Sequence, residues 1–393
     1  MGVLITSNAF YPNIGGVENS LLYLAKSYLK QGVSVDIVVS DVNLVNEKVL
    51  STYEEYEGIS IHRYQCYQTV PKYLKPFYFL KRYIKAAYLL HKLKKLKKPE
   101  ITISRFHTNV ILAKLVGLKN IVYLVPGEVS MQNCAANSTS NISDSWHYRL
   151  RIMLDLRLQQ FAMKISDRLF VFSRTMQKQV LDSVNKTAVI LKPGVDVDRF
   201  TPITEKQKQK LKLTLNLPQD KKILLIVGRF VLAKGFIFAL ESLKYLDNCH
   251  LVIVGAGDEE ESYKDYVHEN NLGALVTFTG VKFNTECYYS VSDFFLMTSV
   301  YEPFGQTILE AMASGLPVIA FSQSAGVITA THEILTESDA LFINELSGYS
   351  LAKGVISLIN NESEVSSLSS RSRRLACELY SWERLALSLL QQT

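Results

Sequence analysis

Two stretches of this chain are built to one plan, and a chain that repeats that plan can fold in few ways. The first, VLITSNAFYPNIGGVENSLLYLAKSYLKQGVSVDIVVSD, runs from an apolar strand through a glycine-containing loop and an amphipathic helix to Gly32 and a second apolar strand. Val17, Leu21, Leu24 and Tyr28 recur at helical spacing, which predicts one buried stripe. The second, KILLIVGRFVLAKGFIFALESLKYLDNCHLVIVGAG, repeats the plan with strands expected at Ile223 to Val227 and Leu251 to Val254. Strands that are apolar throughout and alternate with helices belong to parallel sheets covered on both faces. Two such starts make this an α/β chain of two doubly wound units, each opening a new sheet. Its 393 residues, 48% of them hydrophobic, suffice for two or three cores.

Between the two plans lies VILKPGVDVDRFTPITEKQKQKLKLTLNLPQD, lysine-rich and punctuated by Pro193, Gly194, Pro202 and Pro218. That composition marks a boundary with its hinge near residues 191–194. The expected domains are residues 1–190 and 191–377, with a C-terminal helix of about 378–393 packing back on the first domain. Open parallel sheets bind ligands beyond the carboxyl ends of their strands, so the expected site is an interdomain cleft between two facing sheets.

Cys66, Cys134, Cys249, Cys287 and Cys377 are scattered, with no CxxC pair and no histidine cluster at zinc spacing. They read as reduced thiols of a cytoplasmic chain with no structural metal. MGVLITSNAF lacks the basic segment of a secretory leader, and no run reaches the roughly 20 apolar residues of a membrane span. MGVLIT fits the myristoylation pattern through Gly2 and Thr6, but burial of Val3, Leu4 and Ile5 in a first strand would withhold it. The sequons at Asn137, Asn141, Asn185 and Asn361 are read as chance matches.

In IVGRFVLAKG, Arg229 and Lys234 occupy the loop between a strand and the helix that follows. Cations beside a helix N-terminus and flexible glycines suit a phosphate or diphosphate. In NAFYPNIGGVEN, Gly15 and Gly16 stand at the mouth of the first helix, where bare backbone admits a bulky anion. Neither this loop nor VIVGAGDEEE is a GxGxxG fingerprint, because acids follow Gly255 and Gly257. A dehydrogenase loses its main support.

The stretch YEPFGQTILEAMASG sets Glu302 in a strand-end loop and Glu310 within a helix that Gly315 ends. Phe304, Gly305 and Gln306 offer backbone N–H groups at the same place. Carboxylates bind sugar hydroxyls strongly and directionally. An unpartnered buried Glu310 would cost several kcal/mol or take up a proton.

These segments together resemble the retaining, family-four type glycosyltransferases of GT-B fold. EPFGQTILEAMASGLPVIA is similar to that family's Glu, seven residues, Glu signature, and VGRFVLAKG to its Gly-Arg-x-x-x-x-Lys-Gly segment. VIVGAG, KPGVDVDRF and FYPNIGGVE resemble its following strand, its domain entry and its N-terminal glycine loop. The resemblance spans nearly the whole chain, most securely residues 189–320. It implies two facing Rossmann-like domains, an acceptor-side N-terminal one and a C-terminal one that binds a nucleotide-sugar donor carrying UDP or GDP, without a metal or cofactor. By the same resemblance Arg229 and Lys234 neutralise the departing diphosphate, Gly16 contacts it by backbone, Glu310 binds ribose hydroxyls and Glu302 the donor sugar. Phe304 and Gly305 complete that pocket, and the base lies near Val281 and Lys282. Where many members carry a histidine after the strand equivalent to NIVYL, this chain has Pro126 and Gly127; His107 is the sugar-side candidate, with a structural imidazole as its plain alternative.

Residues 71–98 are rich in lysine, arginine, tyrosine, phenylalanine and leucine and contain no acid. A basic amphipathic helix with aromatics suits an anionic membrane surface, with an ordinary solvated helix face as the plain alternative; nucleic acid would fit such a patch but is not expected as a partner. The lipid-linked or saccharide acceptors expected for such an enzyme place it in bacterial lipopolysaccharide or polysaccharide synthesis, peripheral to the inner face of the cytoplasmic membrane. Residues 128–160 read as a lid over the acceptor side or as a plain connection. Two other readings stand beside it: a GT-B-like nucleotide-sugar 2-epimerase, which keeps the architecture, and a non-catalytic nucleotide- or nucleic-acid-binding module.

Overall fold

The computed structural model describes residues 2–13, 15–43, 49–66, 75–129 and 146–391, and within these the chain forms two compact units. Unit 1 comprises residues 1–129, 150–194 and 382–393, and unit 2 comprises residues 130–149 and 195–381.

In unit 1 the described residues form an eight-stranded sheet of β1 (Gly2–Thr6), β2 (Ser34–Ser40), β3 (Tyr53–Tyr56), β4 (Ile59–Tyr64), β5 (Ile101–Ser104), β6 (Ile121–Leu124), β7 (Arg168–Val171) and β8 (Val189–Ile190). Its order is β3-β4-β2-β1-β5-β6-β7-β8. All neighbours are parallel except β3 and β4, an antiparallel edge hairpin that the apolar pattern did not announce. Its turn is Glu57-Gly58, both at positive φ (50° and 80°), the conformation that matches the twist of a two-residue hairpin.

The central strands are buried on both faces because helices cover both. On one face helix Gly16–Lys30 and helix Trp382–Gln391 pack Leu21, Leu24, Tyr28, Leu385 and Leu389 against Val3, Ile5, Ile37 and Ile103. Of the predicted stripe, Leu21, Leu24 and Tyr28 are buried and Val17 is intermediate. The other face carries Leu90 and Leu93 of helix Lys75–Lys97, Val110 and Ala113 of helix His107–Leu115, and Ala162 and Met163 of helix Trp146–Ile165. Gly194 abuts Trp382 so closely that a Cβ would collide with the Trp382 backbone. Two distant segments of unit 1 thus meet at a residue that must have no side chain.

In unit 2 the described residues form a six-stranded parallel sheet of β9 (Lys222–Val227), β10 (Cys249–Val254), β11 (Val276–Gly280), β12 (Phe294–Met297), β14 (Val318–Phe321) and β16 (Leu341–Ile343), in the order β11-β10-β9-β12-β14-β16. A short parallel pair, β13 (Tyr301–Glu302) and β15 (Ile328–Thr329), stands beside it. Helix Gln306–Ala313 buries Ile308, Leu309 and Met312 on one face with Val318 and Phe295, and helices Phe236–Ser242 and Gly348–Ile359 cover the other.

Both sheets reverse direction once. From β1 the chain builds outward through β2 and β4, then returns beside β1 as β5; from β9 it builds through β10 and β11, then returns beside β9 as β12. Adjacent loops diverge at such a point and leave a crevice at the carboxyl ends of the strands.

Candidate active site

The switch point of unit 2 gathers most of the residues selected from sequence. Beyond β9, Gly228 and Arg229 lead to a short 3-10 turn, Leu232–Lys234, which ends at Gly235. Gly235 has φ +59°, and a Cβ on it would collide with Thr298 O at the end of β12. The Thr298 hydroxyl also donates to Lys234 O at 2.8 Å. The lysine loop is therefore fastened to the neighbouring strand end by a contact only glycine permits.

That fastening delivers Lys234 to Glu302. Lys234 Nζ donates to Glu302 Oε2, with the lysine side chain 23% exposed and the glutamate 11%. Arg229 lies exposed at the end of β9, and its guanidinium has no hydrogen bond or ion pair among the described residues. One cation of the segment is thus engaged and the other is available.

Gly305 turns the chain from β13 into helix Gln306–Ala313 at φ +100°. A Cβ there would press on Ile308 Cδ1 at 2.8 Å and lie 3.5 Å from Glu302 Cγ, so the residue after Phe304 must be glycine. The Phe304 side chain packs toward the core, which leaves backbone as its contribution to a ligand. Gln306 opens the helix, whose first-turn N–H groups favour an anion.

Glu310 stands one turn into this helix, apart from both cations. Its partner is a residue outside every motif: the hydroxyl of Tyr289, in helix Glu286–Val291, donates to Glu310 Oε2 at 2.8 Å. Burial pushes the Glu310 carboxyl up to about 7, while the Tyr289 hydrogen bond and the Arg199 charge oppose the rise. Arg199 also grips the segment after β11. Its Nε and Nη2 donate to Glu286 Oε2 at 2.9 and 2.7 Å, and Nη2 donates to Phe283 O. Val281, the expected base-side residue, is exposed in that segment.

Gly255 and Gly257 serve packing. At φ +140° and +159° they bring the loop after β10 against the backbone of Gly228 and Phe230, where a Cβ would collide. Phe230 N then donates to Ala256 O at 3.0 Å and Glu259 N to Phe230 O at 3.1 Å. A glycine pair that looks like a nucleotide fingerprint here braces the arginine loop from behind.

Gly15, Gly16 and His107 lie at the switch point of unit 1, after β1 and β5. Gly15 is the N-cap of helix Gly16–Lys30 in an extended conformation, and Gly16 is exposed with nothing within 4 Å of where a Cβ would stand. His107 is buried at the start of its helix, its ring centroid 4.5 Å from that of Phe106, and burial holds its pKa below the usual histidine value against the pull of Asp155. Arg105, which the motifs did not single out, is buried beside it. Its Nη1 donates to Ser20 Oγ at 3.1 Å and its guanidinium lies 5.1 Å from the Phe172 ring centroid, pinning the glycine-capped helix to the end of β5. After β6, Gln159 clamps the segment that replaces the expected histidine: it donates to Gly127 O at 2.8 Å and accepts from Val129 N at 2.9 Å, and the Glu128 between them is buried.

About half of the segment read as a lid or connection, residues 130–145 of 128–160, lies outside those described. Among the described residues no helix is long and apolar enough to cross a membrane. Also among them, no group of three or more His, Cys, Asp or Glu is placed to hold a metal ion.

Residues 207–375 match the family model described as glycosyl transferases group 1. Among curated proteins, the lipopolysaccharide core biosynthesis glycosyltransferase LpsD of Rhizobium meliloti is 34% identical over 130 residues, which is 33% of this chain and 37% of that protein. The chain spans about a third to a half of the length of the curated relatives it matches. Among solved structures, sucrose-phosphate synthase from Thermosynechococcus elongatus superposes with a TM-score of 0.80 at 20% identity, covering 100% of this chain and 98% of that one. Anabaena HepE, solved in complex with UDP and glucose, gives a TM-score of 0.76 at 15% identity over 99% and 98%. The architecture is the GT-B fold that the sequence motifs led us to expect.

Proposed function

We propose, from the match of residues 207–375 to the glycosyl transferases group 1 model and from the GT-B fold, that this chain is a retaining, metal-independent glycosyltransferase of bacterial surface-glycan synthesis. It moves a sugar from a UDP- or GDP-sugar to a hydroxyl of a lipid-linked or saccharide acceptor. The observation that carries this reading is the Lys234–Glu302 pair at the switch point of unit 2, with unpaired Arg229 on one side and Glu310 one helical turn beyond.

In this reading Glu310 holds the ribose and the first-turn N–H groups of helix Gln306–Ala313 face the phosphates. Glu302 orients the sugar, and Arg229 and Lys234 stabilise the charge that grows on the diphosphate as it leaves. The acceptor oxygen forms its bond to the anomeric carbon on the face from which the diphosphate departs. The bond from that carbon to the phosphate oxygen breaks, and the acceptor proton passes to the leaving diphosphate.

The test is a thermal-shift panel of UDP, GDP, ADP and CMP, followed by the nucleotide sugars of whichever base stabilises the protein. Stabilisation by one diphosphate, then sugar transfer with retained anomeric configuration, is expected. No stabilisation by any of the four would sink the reading.

We place the membrane contact on residues 71–98. The described part of this segment is helix Lys75–Lys97, whose outer face exposes Leu80 (61%), Ile84 (60%) and Tyr88 (70%) at four-residue intervals between Lys81, Lys85 and Lys92. Leu90 and Leu93 on its inner face already serve the core, so the outer apolar residues await a different partner. Lysines beside an anionic leaflet each contribute about 1 kcal/mol. Co-sedimentation with anionic but not neutral liposomes is expected; equal absence from both pellets removes the idea.

A further inference from the structure

We propose that Tyr289 is the positioning residue of the donor site: its hydroxyl fixes the Glu310 carboxylate so that one oxygen is presented to the ribose hydroxyls of the nucleotide. The inference rests on the ribose role given to Glu310 above and goes beyond it by naming what makes that role possible. Tyr289 comes from neither of the two segments that carry the motif residues.

The geometry leaves the hydroxyl little choice. Glu310 Oε2 is 2.8 Å away and Thr307 O is 3.3 Å. A phenol has one proton to give, and the carboxylate is the nearer and stronger acceptor. The ring is fully buried, edge-on to Phe200 with centroids 5.4 Å apart and stacked on Phe295 at 5.7 Å, so it cannot swing away. Burial and the adjacent Glu310 hold the Tyr289 pKa well above that of a free phenol, so the proton stays on the donor. Glu310 Oε1 has no hydrogen-bond partner among the described residues. One oxygen is tied down and the other is left for a ligand.

The charge around the pair fits the same role. The groups whose fields bear on Glu310 are Tyr289 and Glu286 from helix Glu286–Val291 and Arg199 from the segment before helix Glu205–Thr214. Arg199 is itself paired with Glu286 at 2.7 Å, which spends much of its charge. The Tyr289 hydrogen bond is then the main local support for the carboxylate form, the form that accepts from hydroxyls.

The experiment is calorimetric binding to the full chain, using the best-binding diphosphate of UDP, GDP and ADP beside its 2′,3′-dideoxy counterpart. Tyr289→Phe keeps the ring and removes one oxygen. It should weaken the ribonucleotide about tenfold, the worth of a hydrogen bond to a charged group, and the dideoxy compound by less than about twofold. The dideoxy arm doubles as the control for folding. Equal loss on both compounds, or loss on neither, overturns the proposal.

A pH series supplies a second readout. Wild-type affinity for the ribonucleotide should improve as pH rises through about 7, and Tyr289→Phe should move that rise to higher pH; an unmoved profile overturns the proposal. Glu310→Gln separates the two layers of inference. If wild type and Glu310→Gln both fail to distinguish ribose from dideoxyribose, the ribose role itself is wrong and Tyr289 falls with it. If Glu310→Gln loses the distinction and Tyr289→Phe keeps it, only the role of Tyr289 is wrong.

Discussion

The two sheets place their sequence-selected residues at equivalent points, each where the strand order reverses, yet equip those points oppositely. In unit 2 the point is wired by side chains: Lys234 to Glu302, Tyr289 to Glu310, and three glycines that let loops touch backbone to backbone. In unit 1 it presents an open Gly16, a buried His107 and a buried Arg105 that holds a helix in place. Topology sets where loops diverge, and in the proposed reading the chemistry on those loops gives the charge-handling work to unit 2. A crevice needs only divergent loops; charge stabilisation needs cations held at fixed positions.

The sharpest way to break this contrast is by turnover. Arg229→Ala should lower kcat on the order of a hundredfold or more, whereas His107→Asn should leave it within about threefold. Normal turnover in the arginine variant would erase the asymmetry. Stability sharpens the contrast next. Gly235→Ala forces a side chain into Thr298 O at positive φ and should cost about 2–4 kcal/mol, whereas Gly16→Ala should stay within about 0.5 kcal/mol. Thermal denaturation of the two variants decides it, and equal midpoints would refute the reading of Gly235 as a fastening.

A smaller effect concerns Glu310. Burial pushes its carboxyl from the ordinary 4.5 up to about 7, so between those values the folded state holds a proton that the unfolded chain has released. That contribution is fully present below about pH 4.5 and is lost as pH rises through about 7. Glu310→Gln cannot ionise, and should therefore be more stable than wild type at pH 8 by about 1–3 kcal/mol and equal to it at pH 4. Melting curves at the two pH values test this, and a variant less stable at pH 8 contradicts it. Smallest of all is the effect of chelation: sugar transfer in EDTA should match the untreated rate, and loss restored by Mg²⁺ would overturn the metal-independent reading.

What the sequence made legible was local. The strands at β9 and β10 were readable because their apolar runs are short and bounded by polar turns, and each begins one or two residues before the expected start. Arg229, Lys234, Glu302 and Glu310 were singled out because charged groups close behind apolar strands stand out against their surroundings, and the structure brings Lys234 and Glu302 into contact. Three features were not readable, for one reason. The partnership of Tyr289 with Glu310 joins residues 21 apart in sequence. The packing of Gly255 and Gly257 depends on where another loop runs, and the Arg105 clamp joins residues 85 apart. The hairpin at Glu57-Gly58 escaped differently, since a glutamate at positive φ gives no turn signal of its own. Contacts made only by the folded chain leave no periodicity to find.

The Lys234–Glu302 pair has a consequence for which molecules the proposed donor site admits. Before anything binds, the two groups engage each other, so in the proposed reading an entering phosphate competes with Glu302 for the charge of Lys234. Free phosphate or pyrophosphate offers acceptor oxygens to Lys234 but at most one or two donors to Glu302, and a mostly buried carboxylate left short of donors is costly. A phosphate that arrives with a sugar attached supplies hydroxyls to the orphaned acid as well. In the proposed reading the pair would then resemble a lock with two wards, raising the threshold for bare phosphates while leaving the sugar-bearing ligand able to turn both.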